Sequence, residues 1–361
     1  MLFNLLTSLI EQYSFLNVFK YLTFRTGLSV VTSLVVVFII GAPLIKLFSE
    51  KMITGPIRQD GPIDHIIKKS GTPTMGGVII IIGIISGTIL WADLTNIYIW
   101  TLIFVSLSLG GLGLLDDVLK IKLKNSSGLK SRYKFFGQII ISLLTLLILI
   151  NYSDHEYLHN LYFPFFKNLI WYMGWIFIPF GLFVIIGASN AVNLTDGLDG
   201  LATVPVMLVA LSFTLISYVV GNTIFSEYLK IQYIPDVGEL SIFCGSIVGS
   251  CLGFLWYNAP PAKIFMGDTG SLSLGGSLAA VAIIVKHEIV LAIIGGLFVL
   301  ETVSVIIQVA SFKLTGKRIF KMAPIHHHFE KKGWAESTIV IRFWIIAIIL
   351  ALVGLATLKL R

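Results

Sequence analysis

The sequence predicts an all-α, polytopic membrane protein of about ten transmembrane helices, and three observations carry that expectation. Of the 361 residues, 56% are hydrophobic and only 12% charged, about half the charge of a typical soluble domain. Apolar runs of about 20 residues recur along the whole chain, the length a helix needs to cross a bilayer. The Lys and Arg residues gather in every second connection between those runs. The same figures exclude a soluble enzyme, a disordered chain and a disulfide scaffold.

Residues 1–23 mix apolar side chains with Asn4, Glu11, Gln12, Asn17 and Lys20. They read as a short interfacial helix, since neither a basic leader nor a small-residue cleavage site is present. Ten spans follow, at 24–47, 73–92, 97–115, 135–151, 172–189, 201–220, 240–257, 271–285, 288–312 and 338–358. Only Lys286, His287 and Glu288 interrupt the stretch 271–312, where a short turn fits. Cys244 and Cys251 lie seven residues apart in one apolar run. Held two turns apart on one helix face, they cannot bridge each other and read as small packing residues.

No polar stretch exceeds about 25 residues, so residues 1–361 form a single integral membrane domain. Loops 48–71, 116–134, 258–270 and 313–337 hold 17 of the 26 basic residues, and the opposite side holds seven. Basic loops stay in the cytoplasm, which turns both termini outward. The formal charge of +7 also suits an anionic ligand or lipid headgroup. Nucleic acid is a poor partner, because no basic domain stands outside the membrane. The motif-bearing loops, near 48–72, 116–134, 190–200, 258–271 and 313–337, all fall on the cytoplasmic face.

Among the 19 acids, Asp116, Asp117, Asp196, Asp199 and Asp268 sit at span ends among glycines and apolar residues. Carboxylates at membrane depth are costly and mark function. Asp116-Asp117, with Lys120 and Lys124 following, reads either as helix-end anchoring by i,i+4 pairs or as a site for Mg²⁺ and phosphate. In Asn190-Ala-Val-Asn193-Leu-Thr-Asp196-Gly-Leu-Asp199-Gly200, amides and acids recur at three-residue spacing, and the glycines admit a ligand close to the backbone. Phe265-Met-Gly-Asp268-Thr-Gly-Ser271 opens a span, so a helix N-terminus is available either to an anion or to an ordinary N-cap. Lys69, Thr72 and Thr74 precede the second span and suit either phosphate or capping. His326, His327 and His328 are adjacent, so their side chains diverge and lack zinc spacing. Polar contact with a phosphorylated or sugar substrate is the preferred reading of that loop, a solvated loop the other.

These motifs are similar to those of the polyprenyl-phosphate N-acetylhexosamine-1-phosphate transferase superfamily, and within it of the phospho-N-acetylmuramoyl-pentapeptide-transferase family. The resemblance covers nearly the whole chain. It is carried by Arg58-Gln59-Asp60-Gly61-Pro62 with His65, Gly71–Gly77, Asp116-Asp117 with Lys120 and Lys124, Asn190–Gly200, Phe265–Ser271 and Met322–Glu330. The triple-His loop resembles this family specifically. The resemblance implies a bacterial cytoplasmic-membrane enzyme with ten spans, outward termini, its active site facing the cytoplasm, and a homodimeric assembly. It implies attack of undecaprenyl phosphate on the β-phosphate of UDP-MurNAc-pentapeptide, giving lipid I and UMP, with Mg²⁺ as cofactor. Asp268 is then the main Mg²⁺ ligand with Asp117 beside it, and Asp116 the group proposed to deprotonate the lipid phosphate. Lys69, Thr74, Asn190, Asp196, Phe265 and Gln308 surround the nucleotide, with Phe265 stacked on uracil. Lys120 and Lys124 hold phosphates; Asn193, Asp199 and Asn258 support the site; His326, His327 and His328 meet the sugar. The competing readings are a sister transferase using UDP-GlcNAc, a cation or nucleotide-sugar transporter, which calls for mid-membrane polar groups on a broken-helix repeat, and a structural scaffold.

Overall fold

The computed structural model describes residues 2–54, 71–123, 128–152, 155–166 and 169–359. Arg58–Pro62, His65, Lys69 and Lys124 lie outside the described residues. A short helix, α1 (Leu2–Ser8), and a 3₁₀ turn (Ser14–Lys20) lead into the bundle. The helices that follow are α2 (Leu22–Glu50), α3 (Gly77–Trp91), α4 (Ile97–Leu123), α5 (Ser131–Tyr152), α6 (Phe177–Thr195) and α7 (Thr203–Val220). Then come α8 (Leu240–Asn258), α9 (Gly267–Ile284), α10 (Glu288–Ile294), α11 (Gly296–Thr315), α12 (Ile325–Glu330) and α13 (Glu336–Ala356). Among the described residues nine helices are long and apolar enough to cross a membrane.

The tenth expected span, α3, has 15 residues, which at about 1.5 Å each is short of a bilayer's hydrocarbon core. Its entry is irregular instead, with Met75 at φ +71°: Gly76 and Gly77 donate backbone N–H to the carbonyls of Phe265 and Met266 (both 2.8 Å), and Phe265 N–H donates to Pro73 O (2.9 Å). Irregular backbone at this depth is tolerated because protein, not lipid, surrounds it.

Helix α9 is the axis of the bundle. It is built largely of Gly, Ala and Ser, and 16 of its residues are buried. It packs against α4, α6, α3 and α7. Small side chains let these backbones approach, which is how helices associate where lipid removes the hydrophobic drive. Around it, α8 packs on α2, α3 and α7, and α13 closes on α7, α10 and α11.

Several boundaries differ from the sequence reading, and four of the differences matter for the site and the bundle. Helix α4 runs to Leu123 rather than 115, and α6 runs to Thr195 rather than 189. Helix α9 starts at Gly267 rather than 271. Apolarity stops where lipid stops, but the i→i−4 ladder continues wherever polar side chains find partners. The expected span 288–312 is broken at Gly295 into α10 and α11. The connection between α5 and α6 adds a small antiparallel pair, β1 (Asn160–Tyr162) with β2 (Ile170–Tyr172). Cys244 and Cys251 are both buried free thiols.

Candidate active site

The overrun of α4 carries Asp116, Asp117 and Lys120 one helical turn beyond the apolar span, against the first turn of α9. There Asp116, Asp117 and Asp268 converge, with ligand oxygens all within 4.8 Å of one another. Asp116 and Asp117 are buried, and Asp268 is nearly so. Among the described residues two ammonium groups face them. Lys120 Nζ lies 2.6 Å from Asp116 Oδ2, 3.1 Å from Asp268 Oδ2 and 3.8 Å from Asp117 Oδ1. Lys134 Nζ, from α5, lies 2.5 Å from Asp268 Oδ2 and 3.9 Å from Asp116 Oδ2. Three carboxylates against two ammoniums leave one excess negative charge, held where water is scarce.

The three acids are not equivalent. Asp117 Oδ1 accepts the backbone N–H of Asp268 (3.2 Å), and its Oδ2 accepts the N–H and hydroxyl of Thr269 (3.0 and 2.8 Å). It caps α9 from another helix and fixes where Asp268 stands. The helix N-terminus, read from the sequence as open either to an anion or to an ordinary N-cap, is occupied by the Asp117 carboxylate. Gly267 makes this possible: its φ is +73°, and a Cβ there would stand 2.6 Å from Asp117 Oδ2. Asp116 Oδ1 accepts Leu129 N–H (2.7 Å), tying the 128–134 segment to α4. Asp268 alone has its whole carboxylate on side chains, Oδ2 on the lysines and Oδ1 on Asn193 Nδ2 (2.9 Å).

The other expected residues fall around this centre. Asn193 sits on α6, whose extra turn brings it to Asp268 and to Ser271 Oγ (2.9 Å). Asn190, one turn earlier, donates to Gln138 Oε1 (3.0 Å) and to Ile186 O (2.8 Å). Asp196 is the half-buried C-cap of α6. Thr74 is buried beside Gly267, and Phe265 is half-buried in the paired segment below it. Asp199 and Asn258 are spent on the scaffold. Asp199 Oδ2 accepts Ala262 N–H (2.9 Å); Asn258 Oδ1 accepts Gly200 N–H (3.1 Å) and the Thr203 hydroxyl (2.8 Å). They clamp loop 258–265 to the 197–203 turn.

The chain beyond α11 folds back along it. Ser311 Oγ donates to Lys317 O (2.9 Å). Gln308 accepts from Ile319 and Phe320 N–H and donates to Phe320 O (3.1, 2.9 and 3.0 Å). Gln308 thus holds the returning segment with both ends of its amide. The three histidines take different polar partners, but they do not all diverge as expected, since the His326 and His327 rings pack together with centroids 4.1 Å apart. His328 Nδ1 accepts Lys321 N–H (3.0 Å), and His327 Nδ1 lies 2.6 Å from Glu330 Oε2. His326 turns inward, wholly buried, toward Glu301 of α11. Burial first, then the nearby Lys332 and Lys321 ammoniums, hold the His328 imidazole below its ordinary pKa.

Sequence reasoning missed two residues here. Lys134 is one of six basic residues between 116 and 134, and nothing local distinguishes it. Glu301 is hidden inside an apolar run, where a lone acid is itself the signal.

The donor set suits a hard divalent cation: carboxylate oxygens only, clustered, with an excess negative charge. Among the described residues no other group of three such ligands gathers.

Comparison with known proteins gives a consistent result. Residues 99–286 match the family model described as Glycosyl transferase family 4. Residues 69–81 match phospho-N-acetylmuramoyl-pentapeptide-transferase signature 1. The chain is 69% identical over 361 residues to a phospho-N-acetylmuramoyl-pentapeptide-transferase of Pelagibacter ubique, covering all of both chains. It is 53% identical to that of Maricaulis maris, again over all of both chains. With that of Phenylobacterium zucineum it shares 56% identity, over 96% of this chain and 95% of the relative.

Proposed function

The chain belongs to the phospho-N-acetylmuramoyl-pentapeptide-transferase family, and from that premise we propose that it transfers phospho-MurNAc-pentapeptide from UDP-MurNAc-pentapeptide to undecaprenyl phosphate. The products are lipid I, a precursor of peptidoglycan, and UMP. The observation that carries the placement of this reaction is the convergence of Asp116, Asp117 and Asp268 with Lys120 and Lys134 at the basic end of the bundle. That end faces the cytoplasm of the bacterial inner membrane by the distribution of Lys and Arg, where a soluble nucleotide-sugar and a lipid phosphate can meet.

An oxygen of the lipid phosphate attacks the β-phosphorus of the nucleotide-sugar. The bond from that phosphorus to the bridging oxygen breaks, and UMP leaves with the electron pair. Such transfers are accelerated mainly by positioning and charge neutralisation. A bound Mg²⁺ supplies neutralisation of the diphosphate. Asp268 is the residue to hold it, with Asp116 beside it; Asp117, read as a second ligand from sequence, is assigned to holding Asp268 in place. Lys120 and Lys134, with Lys69 and Lys124, are the counter-charges for the phosphates. The lipid phosphate has a second pKa of about 6, so at neutral pH it is mostly a dianion and little proton removal is left to Asp116. Phe265, Thr74, Asn190 and Asp196 form the nucleotide side. Gln308 serves it through the segment it holds, and His326, His327 and His328 form the sugar side. Relatives named for this substrate favour it over UDP-GlcNAc. The acidic cluster at helix ends favours an enzyme over a transporter.

The test is lipid-product formation by the purified protein in detergent, given undecaprenyl phosphate, Mg²⁺ and one of two sugar donors. Product from UDP-MurNAc-pentapeptide alone, lost with EDTA and with Asp268→Asn, is expected. Product from UDP-GlcNAc alone overturns the substrate assignment, and product from neither overturns the reaction.

A further inference from the structure

Glu301 and His326 are 25 residues apart in sequence, yet the fold-back along α11 brings Glu301 Oε2 to 3.1 Å from His326 Nδ1, with both side chains 0% exposed. Both carboxylate oxygens and both ring nitrogens lack an aligned hydrogen-bond partner among the described residues. Such groups are expensive to bury, and each in a native protein calls for an explanation. Around Glu301 on α11 stand Leu300, Thr302 and Val303, none of them charged. The other edge of the ring supplies the explanation. His326 Nε2 presses on Gly197, where a Cβ would come within 2.3 Å of it. Gly197 lies between Asp196 and Asp199 and four residues after Asn193, which holds Asp268.

We propose that Glu301 is a positioning residue for the reaction, acting through His326. Its carboxylate fixes which ring nitrogen carries the proton and which way the ring faces, as an acid does for a histidine in many active sites. The ring in turn sets the Gly197 turn and with it the approach of Asn193 to Asp268 and of Asp196 to the nucleotide. The pair therefore links the sugar-side loop to the Asp268 centre. This inference rests on the transferase reading above.

The test is a double-mutant cycle on the full-length protein, with kcat and KM for UDP-MurNAc-pentapeptide and the melting temperature in detergent measured for each variant. Glu301→Gln keeps the shape and an acceptor oxygen but removes the charge. It is expected to lower kcat by about tenfold to a hundredfold, with KM and melting temperature little changed. In a His326→Gln background the same change is expected to lower kcat by less than about threefold, because its route of action is gone. An unchanged kcat for Glu301→Gln, or an equal loss in both backgrounds, overturns the proposal. If Glu301→Gln does not fold, Glu301→Asp, which keeps the charge but withdraws it, is run through the same cycle: coupling to His326 supports the pair, additivity overturns it. Wild-type protein is the control. If it makes no lipid product, the transferase reading has failed; a normal wild-type rate with an uncoupled cycle fails the pair alone.

Discussion

Asp117 and Asp268 make opposite predictions although they belong to one cluster. Asp117→Ala removes three accepted hydrogen bonds at the head of α9. It is expected to cost about 2 kcal/mol of stability, the upper range for a lost cap, measured by unfolding in detergent. Asp268→Asn removes none of those bonds. It is expected to leave the melting temperature close to wild type while abolishing saturable Mg²⁺ dependence of the rate. Equal destabilisation by both would refute this division of labour. His328 makes a third prediction. Its folded pKa lies below the ordinary histidine value of 6.5, so the unfolded chain takes up the proton more readily. Its contribution to stability is thus complete above about 6.5 and is lost as pH falls through the folded value. Protonation also removes the Nδ1 acceptor for Lys321 N–H. The melting temperature should fall on acidification across that window, and His328→Gln should flatten this part of the profile.

At the level of the helices, the site exists because two of them outrun the membrane-like stretch of their sequence. Apolar runs located the spans, and the clustering of Asp116, Asp117 and Asp268 on one face was legible from charge and position. The extra turns of α4 and α6 were not, because hydropathy ends at the first acid or amide while the backbone ladder does not. The three-residue spacing of Asn190–Gly200 gives Asn193 no partner; only the longer α6 brings it to Asp268. The capping of α9 by Asp117 is a contact between positions 151 residues apart, beyond the reach of any local pattern. Lys134 was lost for the same reason among equivalent neighbours. The close crossing of α4 and α9 gives the prediction at this scale. A Cβ on Gly113 would lie 2.3 Å from the backbone oxygen of Asp268, and backbone cannot swing aside as a side chain can. Gly113→Ala is expected to cost about 1–3 kcal/mol by overpacking and to lower kcat more than tenfold by displacing Asp268. A variant with wild-type kcat would mean that the crossing is looser than described.

Across the whole molecule the opposite end of the bundle is locked by different means. Arg25 of α2, buried, donates to both carboxylate oxygens of Glu239 (2.8 and 2.6 Å) and to Trp91 O (3.2 Å). Glu239 Oε2 also accepts Asp93 N–H (2.9 Å). Three connections are thus joined around one guanidinium. Glu239→Ala strands that charge and is expected to cost about 3–5 kcal/mol, with kcat of the folded fraction unchanged because the reacting end is remote. The buried α9 has a last consequence, for how the protein is made. It is the least apolar of the nine candidate spans, and 89% of its window is enclosed by other helices. Such a segment gains little from lipid, and its partners α4 and α6 precede it in the chain. A ribosome delivers those partners first, so the translocon hands α9 to a cradle already waiting in the bilayer. Half-made chains then carry Asp116 and Asp117 without the acid that completes their cluster.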